Sequence, residues 1–148
     1  MMYNLVMSNF SKRMNKLADL VTYNAQKIIR EAGLVCASTA IQTTPVRTGN
    51  ARINWRISFG GFRGGLSKAP NTSDVETNRQ IASAQALINA ANMIKTWRIG
   101  SGSIIIGNPV DYIVDLDQGS SKQATAGMSV FAIAAAKGVL QRGRLLRG

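Results

Sequence analysis

The sequence predicts an α+β fold: a long amino-terminal helix, a small antiparallel or mixed β-sheet with a second long helix packed on it, then a short helix and a C-terminal helix. Three observations predict it. Apolar residues recur at helical spacing over residues 9–43 and again over 81–94. Ile53, Trp55, Ile57 and Phe59 alternate with polar residues, the period of a half-buried strand. Ile104, Ile105 and Ile106 form a β-branched run bounded by Gly102 and Gly107, the mark of a short buried strand. No internal repeat or linker divides the 148 residues, a length that suits one domain with a real core.

The first helix carries Phe10, Met14, Leu17, Val21, Ala25, Ile28, Ala32, Val35 and Thr39 on one stripe, with Lys12, Lys16, Lys27 and Arg30 largely between them. Over residues 9–43 it spans about 50 Å, whereas a compact domain of this size is about 40 Å across. Either Gly33 breaks the helix into a hinged pair, or one end projects and its stripe is covered by a partner subunit. Residues 1–8 and 141–148 are expected as flexible or assembly-ordered termini.

Pro45 ends this helix by disfavouring the α conformation at Thr44. Gly49 supplies a turn, and the alternating strand that follows has a second, cationic face formed by Arg52 and Arg56. Four glycines with Arg63 and Lys68 make residues 60–68 a loop or hairpin tip. Ser73 with Glu76 reads as a capping box, and Ile81, Ala84, Leu87, Ile88, Ala91 and Ile94 form the stripe of the helix it starts. After the isoleucine strand, Asn108 reads as a helix cap, with Pro109 at the first position, Asp111 in the first turn and Gly119 closing a short helix. Residues 120–128 form a polar loop built for contact, with Ser121, Lys122, Gln123 and Met128 as interface candidates. Residues 129–140 are alanine-rich and helical, weakened by Gly138 near the end, and Arg142, Arg144 and Arg147 make a basic tail.

Eighteen Lys and Arg against seven Asp and Glu give a net charge of +11, which favours nucleic acid, a membrane surface or an acidic protein face. The charge is uneven: no basic residue falls between Arg98 and Lys122, where Asp111, Asp115 and Asp117 lie. The single Cys36 leaves no internal disulfide or cysteine-based zinc site, which points to a reduced compartment. Residues 1–7 are too short and polar for a signal peptide, and no apolar run approaches the ~20 residues of a membrane span.

The three aspartates could be read as metal ligands or a general acid/base pair, since Asp111 and Asp115 share a helix face. The chain has no histidine, however, and no second acidic cluster to complete a site. Ser120 and Ser121 likewise lack an activating base. Gly60, Gly61, Gly64 and Gly65 lack the Gly-Lys-Ser/Thr ending of a phosphate loop. The expectation is therefore a non-enzyme with no catalytic, cofactor or metal residue. Arg52 and Arg56, together with Arg47 and Arg63, could meet DNA phosphates without reading sequence. They could instead meet the Asp111/Asp115/Asp117 patch of another copy, a heterologous contact that closes into a ring.

Thr44-Pro45-Val46, then Thr48-Gly49 and Trp55, followed downstream by Gly107-Asn108, Tyr112, Leu116, Gly119, Ser121-Lys122-Gln123-Ala124 and Gly127-Met128, resembles tailed-bacteriophage neck and tail-completion proteins, the head-tail joining or minor tail components. The resemblance spans residues 44–128. Asp111 and Thr125 stand where that family often has proline. The resemblance implies a structural virion protein of the neck or tail, assembled in the host cytoplasm. It would form a homo-oligomeric ring of six copies at the head-proximal end of the tail, completing it for head attachment and DNA passage. Neighbouring neck or tail proteins would be its partners, and a cationic lumen would pass DNA without sequence specificity, with Arg63, Lys68, Arg142, Arg144 and Arg147 as candidates. The alternative reading is a basic protein that binds nucleic acid without sequence specificity.

Overall fold

The computed structural model describes residues 2–45, 49–119 and 127–146, with residues 2–8 described by their backbone alone. Among the described residues, five helices and a two-stranded sheet follow in the order α1 (Met2–Thr43), α2 (Asn50–Ile53), β1 (Arg56–Phe59), α3 (Val75–Ile94), β2 (Ile104–Gly107), α4 (Ile113–Asp117) and α5 (Met128–Arg142). The architecture is the α+β arrangement expected. β1 and β2 pair antiparallel, with Arg56 opposite Gly107 and Phe59 opposite Ile104, and α3 makes the connection between them.

α1 is continuous through Gly33, so the hinge alternative falls. The 42 residues of α1 extend for about 63 Å. Gly33 serves close packing instead: a Cβ placed there would lie 3.0 Å from Ile94 Cδ1 and 3.5 Å from Ile104 Cδ1. A glycine in a helix interior costs about 1 kcal/mol relative to alanine. Here it lets α3 and β2 approach α1. The core lies at that approach, with Ala37, Ile57, Ala90 and Ile94 fully buried and Leu34, Phe59, Ile104 and Ile106 packed around them.

α3 buries a face different from the expected one. Asn78, Ala82, Ala86, Ala90 and Ile94 point inward, while Ile81, Ala84 and Ile88 are exposed. Alanines let a neighbouring helix come close, and here they do so against α1 and α2. Of the expected stripe Ile94 is buried, while Ile81 and Ile88 are left outside. The cap also shifts by one residue: the Asp74 carboxylate accepts from Thr77 N at 2.8 Å and from Thr77 Oγ1 at 2.6 Å. Those two bonds hold the Asp74 carboxyl below the usual carboxylate range.

α5 packs back along α1. Its start is tied to α4, since Asp117 Oδ1 accepts from Ser129 N at 2.8 Å and Gly127 N donates to Asp117 O at 2.8 Å. The chain just beyond its end reaches the middle of α1, where Asn24 Nδ2 donates to Leu145 O at 2.7 Å. Asp117 therefore caps the last helix. Asp117→Ala is expected to destabilise the protein by about 1 kcal/mol, read as a lower urea midpoint.

Candidate functional site

The two sequence blocks behind the resemblance meet in space. Thr44 is fully buried at the end of α1; its Oγ1 donates to Ala40 O at 2.6 Å and accepts from Trp55 Nε1 at 2.7 Å. Pro45 follows, and Gly49 restarts the chain at φ 79°, where a Cβ would lie 3.0 Å from Ala82 Cβ. The second block closes on the first through two bonds. Asn108 Nδ2 donates to Ala51 O at 2.6 Å, and Asn50 Nδ2 donates to the Tyr112 hydroxyl at 3.0 Å. Both blocks thus build the junction where α1 stops and α2 and α4 are set against each other.

This junction changes the reading of the cationic strand. Residues 50–53 are a helical turn, so the strand begins only at Arg56 and Arg52 does not share an outward face with it. Arg52 is only 9% exposed. Its Nη2 donates to Gln42 O at 3.1 Å and to Thr44 O at 2.6 Å, and its Nη1 donates to Ser83 Oγ at 2.9 Å. A planar guanidinium gives several donors in fixed directions, and here they satisfy carbonyls that the end of α1 leaves without helical partners. Burial, and then the nearby Arg79 cation, hold the Arg52 pKa below its ordinary value, with Glu76 partly offsetting them. Arg52 is a clamp between α1 and α3, and it is unavailable to a partner.

Arg56 is half-buried, with Nη2 on Ser67 Oγ. Met128 is 1% exposed, a core residue of this subunit, so its side chain cannot form an interface. Asn108 bonds Val110 N across a turn, and the short helix starts five residues later, at Ile113. Asp111 and Asp115 are exposed as expected, whereas Asp117 is committed to Ser129. The head-to-tail contact expected between Arg52/Arg56 and the three aspartates therefore loses Arg52 and Asp117 to internal bonds. Ser121, Lys122, Gln123, Arg47 and Arg147 lie outside the described residues.

Arg63, Lys68, Arg142 and Arg144 are exposed. Arg63 borders a small recess of about 130 Å³ with Arg56, Asn89 and Met93. Arg142 and Arg144 line a groove of about 470 Å³ with Lys27, Glu31 and Tyr23 of α1. Among the described residues the only ion pair is Glu76 with Arg79, at 3.4 Å. No group of three or more His, Cys, Asp or Glu among them could hold a metal ion, and no helix is long and apolar enough to cross a membrane.

The feature the periodicity only hinted at is how much apolar surface the subunit leaves open. From Val21 onward the stripe of α1 is partly or fully covered, but every residue over 9–19 is exposed. Phe10, Met14 and Leu17 are 58%, 48% and 44% exposed. The reason is geometric: α5 ends at Arg142 and the chain beyond it meets Asn24, so nothing among the described residues covers α1 further toward its start. Val130, Phe131, Ile133 and Leu140 are exposed on α5, and Ile81, Ile88 and Met93 on α3. The chain exposes 9802 Å², against roughly 7,400 Å² for a compact monomer of 15.9 kDa.

Burial pushes the Cys36 thiol up from its ordinary value. A thiol held protonated is a poor nucleophile. Native protein is expected to react with a thiol reagent several-fold more slowly than urea-unfolded protein, by absorbance of the released chromophore.

No known protein family, curated protein or solved structure matches the chain.

Proposed function

We propose that the protein is a structural component that works by assembling with copies of itself, as a ring at the neck or head-proximal end of a bacteriophage tail. The observation that carries the self-assembly reading is the uncovered stripe of α1, 44–58% exposed at Phe10, Met14 and Leu17 on a 42-residue helix whose length of about 63 Å exceeds the ~40 Å of a compact domain of this size. Large apolar side chains aligned on one projecting face mark an interaction site. The motif resemblance supplies the virion role, and its residues now have physical tasks: Thr44, Pro45, Gly49, Trp55, Asn108 and Tyr112 fix the junction from which α1 extends. Negative-stain imaging of the purified protein tests the reading. Closed rings with a central hole are the expected result, and a field of isolated particles of monomer size would reject it.

A second reading is favoured by the charge. With a net charge of +11 and one ion pair among the described residues, most cations are available to an anionic partner. A protein that binds nucleic acid without sequence preference releases counterions, so its affinity falls steeply with salt. Binding of plain duplex DNA by the isolated subunit, with that salt dependence, would favour this reading. DNA passage through a basic lumen needs no such affinity in the free subunit.

A further inference from the structure

We infer that the start of α1 in one copy seats on the acidic cleft formed by α4 in the next. The inference rests on the self-assembly reading and names the surfaces that meet.

The acidic side is found by elimination. Asp74 caps α3, Glu76 pairs with Arg79, and Asp117 caps α5. Glu31 shares its groove with Lys27, Arg142 and Arg144. Asp19 follows Lys12, Arg13 and Lys16 on α1. Only Asp111 and Asp115 remain as a neighbouring acidic pair that is exposed and has no ion pair among the described residues. They stand in a stretch with no basic residue from 99 to 121. Beside them is an open cleft of about 550 Å³ lined by Tyr112, Asp115, Leu116, Gln118 and Gly119. Val114 is 58% exposed on the same short helix. The bonds from Asp117 to Ser129 hold the start of α5 beside α4, and Val130 and Phe131 on that first turn are exposed. The cleft therefore offers the Tyr112 ring and Leu116 as apolar area beside the Asp115 carboxylate, with exposed Asp111 one residue before Tyr112 in the chain.

The start of α1 has the complementary character. Phe10, Met14 and Leu17 align on one stripe at 3.6 residues per turn, and Arg13 and Lys16 follow along one edge of it. Both cations and all three apolar residues are exposed, and neither cation forms an ion pair among the described residues. An apolar stripe with a basic edge matches a cleft that pairs Tyr112 and Leu116 with an acidic side chain. Charge pairs at such a rim select the partner and its orientation, and the apolar area supplies the affinity. DNA would satisfy Arg13 and Lys16 but would leave the stripe uncovered. Because the two surfaces differ and lie on different parts of the subunit, the contact is heterologous and closes into a ring when the rotation between copies permits.

The test uses the full chain in three forms, wild type, Asp111→Lys with Asp115→Lys, and Arg13→Glu with Lys16→Glu, each weighed by native mass spectrometry and checked for an unchanged thermal melting temperature. Each charge-reversed form alone is expected to associate at least tenfold more weakly than wild type. Mixing the two is expected to restore pairing, because each now supplies one half of a complementary contact. Two outcomes would overturn the inference while leaving self-assembly intact: both reversed forms keep the wild-type oligomer mass, or they lose it and mixing restores nothing. The same holds if Arg13→Glu with Lys16→Glu abolishes DNA binding without changing that mass. A wild-type chain that stays monomeric throughout would remove the self-assembly reading itself, and the inference with it.

Discussion

Replacing Arg52 by alanine is expected to destabilise the subunit by about 3 kcal/mol, since it removes hydrogen bonds from a charged donor and leaves carbonyls at a buried helix end unpaired. For a domain of this size, that corresponds to a fall in Tm of roughly 10 °C. The carbonyls involved are Gln42 O and Thr44 O, and the third partner is Ser83 Oγ on α3. Arg52→Lys is expected to recover less than half of the loss, because one ammonium cannot reach in the fixed directions of the guanidinium fork. Calorimetry or a urea titration at low protein concentration reads the effect. An unchanged melting temperature would show that these contacts do not hold the end of α1.

Replacing Met14 and Leu17 by glutamate is expected to do the opposite: leave the subunit as stable as before and abolish its association. Neither residue is buried within its own subunit, and surface substitutions away from special contacts usually change stability by less than ~0.5 kcal/mol. In the assembly the same stripe would be covered. Two carboxylates carried into an apolar contact would cost about 3 kcal/mol or more, roughly a 100-fold loss of affinity. Sedimentation velocity would show the loss as a shift from the oligomer boundary to the monomer one. A fall in Tm with the oligomer retained would mean that the stripe belongs to the subunit's own core.

The pair of predictions separates what is legible in this sequence from what is not. The elements with a strong period or a hard stop were legible. The first helix over residues 9–43, its end at Thr44 and Pro45, the isoleucine strand and the closing glycine of the short helix all stand where the residues put them, although α1 itself begins earlier, at Met2. The faces were less legible. In α3 periodicity favours Ile81 and Ile88 for the core, yet Ala82, Ala86 and Ala90 take it, because helices that must approach closely bury small side chains. The alternation from Ile53 to Phe59 reads as one strand, but Gly49 at φ 79° starts a helical turn that turns Arg52 inward. No local pattern encodes that. Arg52 is called for by carbonyls at the end of α1, ten and eight residues back, and that demand exists only once the chain is folded.

The same reasoning accounts for the acidic patch. Asp111, Asp115 and Asp117 look equivalent in sequence, and the fold separates them. Asp117 finds Ser129 across the loop that joins α4 to α5 and becomes a cap, while the other two stay exposed. A cap and a docking surface use the same residue type. What distinguishes them is whether a backbone N–H of the same chain lies within reach.

The claim on which the account turns is that α1 extends past its own domain to be covered by another copy. Its most direct measurement is the solvent protection of α1 by hydrogen exchange in the assembled and the diluted protein. The account predicts that amides of residues 9–19 exchange slowly in concentrated samples and become fast on dilution, while those of residues 32–41 stay slow in both. Equal, rapid exchange over residues 9–19 at every concentration would contradict it.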